Sequence, residues 1–229
     1  MRSPSFLIPI CFYKHNRFLI LTASLVFFFA CYPLVENTTI ALFVLNLLFK
    51  LILFSAIFAI SGTLKPLIVS LSLALLIIAL DFLYQYEHLK FWELSELYIT
   101  VFFWSYIATH ILKFILKQQV INSELIFAAI AVYLILGIIW ASIYQVIELS
   151  HPHSFAVANP EIVNYDLSFQ MWYFSMVTLT TLGYGDIAPV TMFSRVFVVL
   201  EAIFGQLYLA ILIASLVGRS ISNTRSSHE

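Results

Sequence analysis

Apolar residues along this chain gather in long unbroken runs separated by short polar stretches. Six runs approach or exceed the ~20 residues that cross a hydrocarbon core of ~30 Å. They are Phe18–Val35, Thr39–Ile60, Leu67–Tyr84, Leu97–Leu116, Leu125–Ile147 and Met192–Val217. None alternates with period two as a barrel strand does, so each predicts a membrane-spanning helix and the fold class is all-α. The polar breaks divide the chain into a short leading segment (1–17), a bundle of four spans (18–116), a unit built around the fifth and sixth spans (117–218) and a short tail (219–229). Basic residues precede the first run, but it is too long for the apolar part of an ordinary signal peptide and no small-residue cleavage site follows, so it is expected to stay as a helix.

The connection between the fifth and sixth spans breaks the pattern. A polar stretch, 150–166, leads into Ser168–Thr180, which is apolar but only 13 residues long. That is too short to span and predicts a re-entrant helix, with Asp166 or Ser168 as its N-cap. It ends in Thr181-Leu182-Gly183-Tyr184-Gly185-Asp186. Non-helical backbone at membrane depth is tolerated only where it lines water or is buried in protein.

Composition agrees with a lipid environment. The chain is 62% hydrophobic and 10% charged, with a mean hydropathy of +0.99, more apolar surface than one soluble core can hide. Two cysteines, six glycines and seven prolines exclude a disulfide scaffold, a collagen-like chain and a low-complexity linker. A net charge of −1 argues against a nucleic-acid partner, which would need a basic face. The spans hold no serine nucleophile constellation, paired aspartates or His-Glu-x-x-His, so an intramembrane enzyme is not expected.

The basic residues orient the helices, because basic loops stay cytoplasmic. Arg2, Lys14, Arg17, Lys65, Lys113, Lys117, Arg219 and Arg225 fall on one side. Opposite them lie Lys90, Arg195 and a set of acids that includes Glu36, Glu148, Glu161, Asp166 and Asp186. Both termini are therefore expected in the cytoplasm, with the chain as a multi-pass protein of the plasma membrane.

The run Thr178-Leu179-Thr180-Thr181-Leu182-Gly183-Tyr184-Gly185-Asp186, placed between two spans, resembles the filter signature of potassium channels. The resemblance covers 125–218 and, more loosely, the four earlier spans, as in six-span, voltage-gated-like members with a single pore loop. The chemistry fits. A dehydrated cation needs a substitute for its water shell, which rings of backbone carbonyls supply, and turning successive carbonyls to one axis requires φ of alternating sign, cheap only for glycine. The resemblance implies K+ sites at the carbonyls of Thr181, Leu182, Gly183 and Tyr184, the Thr181 hydroxyl completing the innermost, with Gly185 closing the strip. Asp186, Tyr173, Thr178 and Thr180 are implied as filter support, and the Tyr184 ring as a brace against the short helix. One chain supplies one strip, so the family arrangement is a homotetramer embedded in lipid. No cofactor is implied; K+ is the transported ion.

The sixth span resembles the family's inner helix. Gly205 serves there as a bend or as a close-packing contact. Helical spacing puts Gln206, Leu209 or Ala210, Ile213 and Val217 on one face, a mostly apolar cavity lining. Glu201 is costly in lipid and is expected to face protein, as a plain buried acid or with a hydroxyl of Ser175 or Thr178. Where many members carry a polar group behind the filter and aromatic N–H donors beside it, this chain has Val177, Tyr173 and Phe174; Tyr173 can donate to Asp186 but Phe174 cannot donate.

The fourth span offers only His110, Lys113 and Lys117, all in its cytoplasmic half, and no arginine. Weak or absent voltage gating is therefore expected. Lys50 lies mid-span and Asp81 nearer the outer end of the third span, so Lys50 is expected to face the bundle with water rather than pair. His151 and His153 read as solvated loop residues, and Asn37-Thr38-Thr39 is a formal glycosylation acceptor. The function expected is passive K+ conduction. The alternatives are a poorly selective monovalent cation channel and a potassium transporter subunit, the latter opposed by the single strip.

Overall fold

A computed structural model describes residues 8–31, 39–61, 64–118, 120–158 and 166–226. Arg2, Glu36, Asn37, Thr38 and Glu161, singled out above, lie outside the described residues. The chain runs α1 (Ile8–Cys31), α2 (Thr39–Ala59), α3 (Leu64–Glu87), α4 (Lys90–Lys117), α5 (Ser123–Ser150), β1 (Phe155–Val157), α6 (Leu167–Leu179), β2 (Ile187–Pro189) and α7 (Met192–Ser226). Among the described residues α3, α4, α5 and the 192–219 part of α7 are long and apolar enough to cross a membrane; the apolar parts of α1 and α2, Asn16–Cys31 and Val44–Ala59, are shorter.

The centre of the bundle is α5, which packs on α1, α4, α6 and α7. Asn122 starts it, its side chain accepting from the Leu125 amide at 2.9 Å. Leu125, Val132 and Ile135 of α5 meet Leu21 and Leu25 of α1, Leu53 of α2 and Trp104, Ile107 and Ile111 of α4 in one core. A second core gathers Trp140 and Tyr144 of α5, Phe155 of β1, Met171, Phe174 and Leu179 of α6, and Ile187 of β2. The first core holds α1, α2 and α4 to α5, and the second holds the short α6.

Charges tie the end of the bundle where the basic residues collect. Arg17 pairs with Glu124 at 2.9 Å and lies over the Phe114 ring. Arg219 Nη1 donates to Ile115 O in the last turn of α4, where the helix dipole is negative.

Two features differ from expectation. The all-α reading lacked a two-stranded antiparallel ribbon, in which Phe155 pairs with Pro189, Ala156 with Ala188 and Val157 with Ile187. Glu148 shapes its approach by accepting from the amides of His153 at 2.8 Å and Phe155 at 3.0 Å. That carboxylate thereby caps the turn. Lys50 and Asp81 do pair, at 2.7 Å, correcting the expectation of a hydrated lysine. Gln85 donates to both Asp81 oxygens at 2.9 and 3.0 Å, and Asn46 donates at 3.3 Å. The two Cα atoms differ in depth, but the four-carbon lysine stem spans much of the offset.

Candidate functional site

The site is built from α6, the strip after it and the facing part of α7. Asp166 is the N-cap of α6 by position and its side chain makes no capping bond there; Ser168 instead donates to Gln145 Oε1 at 3.1 Å. The helix stops after 13 residues because its last carbonyls are taken by the returning chain. Thr181 N donates to Thr178 O at 2.9 Å, Leu182 N to Val177 O at 2.9 Å and Gly183 N to the same oxygen at 3.4 Å. Thr180 Oγ1 turns back on Met176 O at 2.6 Å. Thr178 thus supports the strip through its carbonyl and Thr180 closes its own helix.

Along the strip φ is positive at Thr181 (60°), Gly183 (58°) and Gly185 (78°), but not at Leu182 or Tyr184. The sign alternates over five residues, as carbonyls directed to one side require, and begins one residue earlier than the glycines. Residues 180–185 are all exposed in the single chain, including Leu182 at 59% and Tyr184 at 67%. At the far end of the strip, Asp186 accepts from Tyr173 OH at 2.5 Å through one carboxylate oxygen and from Ile187 N at 3.0 Å through the other. Burial, then that hydrogen bond, pushes the Tyr173 phenol up to about 12, so it remains a donor at neutral pH. The ribbon adds Ala158 N to Asp186 O at 2.7 Å and Val190 N to Ser154 O at 2.8 Å. Both ends of the strip are thus held by hydrogen bonds while its middle is uncovered.

Beneath the strip, Gly205 touches the end of α6. A Cβ on it would lie 2.7 Å from Leu179 O and 2.9 Å from Leu179 Cδ1. Of the two roles open to Gly205, close packing is the one observed, and α7 is assigned as one continuous helix. Gln206 Nε2 reaches Thr181 Oγ1 at 3.5 Å. Tyr208, Leu212 and Leu216 turn toward the bundle core, while Gln206, Ala210, Ile213 and Val217 are exposed on the other side and Leu209 is half-buried.

Behind α6, Glu201 is fully buried. Tyr144 OH donates to Glu201 Oε2 at 2.5 Å; Ser175 Oγ is 2.5 Å from Glu201 Oε1 and 2.9 Å from Gly137 O. Ser175 was one of the expected partners. The tyrosines were not: Tyr144 here, Tyr133 donating to Leu179 O at 3.1 Å, and Tyr208 donating to Ala129 O at 2.7 Å. Their signal in the sequence is only that a phenol in an apolar span needs a partner.

The 128–220 stretch of the chain matches the profile of an ion channel family. A relative, two-pore potassium channel 5 of Arabidopsis thaliana, is 47% identical over 45 residues, which is 20% of this chain and 11% of that one. The chain is therefore similar to an ion channel family over this stretch and, over a shorter one, to a potassium channel. The matched channel region takes in most of α5, all of α6, the strip and nearly all of α7. No solved structure matches significantly. The bundle α1–α4 lies before the matched channel region; His151 and His153, in the turn after α5, are exposed. No group of three or more His, Cys, Asp or Glu side chains placed to hold a metal ion occurs among the described residues.

Proposed function

We propose that this protein is a potassium-selective channel that conducts K+ passively across the plasma membrane through a homotetrameric pore. The alternation of φ over Thr181–Gly185 in an uncovered strip carries this reading. Carbonyls turned to one side replace a hydration shell only when about four strips face each other around an ion. In a tetramer the exposed Leu182 and Tyr184 side chains would pack against neighbouring copies, and the exposed apolar faces of α7 would meet lipid or protein. The Thr181 hydroxyl, already near Gln206, would complete the innermost site, and Gln206, Leu209, Ala210, Ile213 and Val217 would line the cavity below. Six spans, cytoplasmic termini, 18–116 as a structural bundle and 117–218 as the pore module belong to the same proposal.

The experiment is K+ flux and reversal potential in liposomes holding purified protein, with subunit number from cross-linking. Wild type should pass K+ in strong preference to Na+, and Gly185→Ala should abolish flux or selectivity while still assembling. Within the chain a Cβ there has open space around it, so the defect expected is that of the positive φ. Equal passage of Na+ and K+ by wild type would favour a poorly selective cation pore, and an unaltered Gly185→Ala channel would remove the strip from the filter role.

A further inference from the structure

We infer that Glu201 is a positioning residue that holds the short helix and the inner helix in register as a neutral, proton-donating acid; this rests on the channel reading above. The first observation is a proton count. Ser175 has one hydroxyl hydrogen, yet two acceptors lie within bonding distance of Oγ: Gly137 O at 2.9 Å and Glu201 Oε1 at 2.5 Å. One proton makes only one well-aligned bond, so the two acceptors compete for it. The count closes when the carboxyl carries its own proton: Tyr144 OH donates to Oε2, Oε1–H donates to Ser175 Oγ, and Ser175 donates on to Gly137 O. Every polar atom of Tyr144, Glu201 and Ser175 then has a partner.

The second observation is the surroundings. Glu201 is 0% exposed and lies within the apolar part of α7, and among the described residues no Lys, Arg or His stands within ion-pair distance of it. An ionised carboxylate there would be a lone buried charge at membrane depth, far more costly than a neutral acid with its hydrogen bonds made.

The third is placement. Ser175 and Leu179 are one turn apart on α6, and Glu201 and Gly205 one turn apart on α7. Glu201 bonds Ser175 while Gly205 touches Leu179. Two contacts at the same spacing on both helices fix their relative height and rotation, and Tyr144 and Gly137 anchor the pair to α5. The strip begins just after Leu179, so this register sets where the filter backbone sits.

The test reconstitutes wild type, Glu201→Gln, Glu201→Ala and Ser175→Ala into liposomes and reads K+ flux and the K+/Na+ permeability ratio. A glutamine offers an oxygen to Tyr144 and an N–H to Ser175, reproducing the neutral network. Glu201→Gln should therefore stay within about twofold of wild type in both readings, and Glu201→Ala should lose at least about tenfold in the ratio, because it leaves Tyr144 and Ser175 buried without partners. A glutamine variant as impaired as the alanine one, or an alanine variant with wild-type selectivity, overturns the inference. Infrared difference spectra of wild type minus Glu201→Gln decide the case where the alanine variant does not assemble. A protonated-carboxyl carbonyl band must be present in wild type and lost in the variant, and its absence also overturns the inference. Failure of wild type to conduct K+ would count against the channel reading instead, and the infrared result stands apart from it.

Discussion

Replacing Gly205 by alanine tests whether the inner helix bears directly on the base of the strip. The added Cβ would sit 2.7 Å from Leu179 O, a backbone atom, and 2.9 Å from Leu179 Cδ1. The leucine tip can rotate away, but the oxygen belongs to the last residue of α6 and accepts from Tyr133 OH at 3.1 Å. Relief therefore requires α6 and α7 to separate by several tenths of an ångström. Overpacking of this kind costs about 1–3 kcal/mol, against which the better helix propensity of alanine returns ~1 kcal/mol. Gly218, on the same helix with nothing within 4 Å of its would-be Cβ, provides the control, since Gly218→Ala carries only the propensity gain. The difference in unfolding free energy between the two variants, from denaturant titration in detergent, should thus be about 1–3 kcal/mol. Gly205→Ala should also lower K+ selectivity in liposomes, and Gly218→Ala should not. Two variants equal in stability and selectivity would show that the Gly205–Leu179 approach does not constrain the strip.

Lys50→Met should destabilise the protein by about 1–3 kcal/mol, less than a fully buried pair because both partners keep some solvent, and adding Asp81→Leu should recover most of the loss; a double variant no better than the single one would show that the pair is not the relevant interaction. Open probability in planar bilayers under symmetrical K+ should vary only weakly with voltage. One charge moved through 100 mV yields ~2.3 kcal/mol and steep gating needs several, whereas Lys113 and Lys117 are exposed at the last turns of α4. A steep voltage response lost on neutralising both lysines would refute this.

The short helix before the strip, the strip itself and the positive φ at Gly183 and Gly185 were all legible along the chain. Span length is decided by transfer of a contiguous segment into lipid, and the strip by the backbone freedom of glycine, both properties of neighbouring residues. Thr181 marks where that reading stopped short: its positive φ comes from the turn closed by Thr178 O and Val177 O, which a threonine does not announce. The β1–β2 ribbon escaped for a related reason, since three-residue strands are set by their partners and not by an alternating pattern.

Which spans meet, and at what height, was decided only in three dimensions. Apolar residues surround these helices so evenly that no stripe in the sequence tells the face toward protein from the face toward lipid. Rotation and depth then depend on small contacts such as Gly205 on Leu179, on side-chain reach such as Lys50 to Asp81, and on the few polar groups that must find one another away from water. Glu201 was recognisable from the sequence as an acid too costly to leave in lipid. That Tyr144 and Ser175 are its partners follows from the packing of α5, α6 and α7, because hydrogen bonds between helices depend on distances that no local pattern encodes.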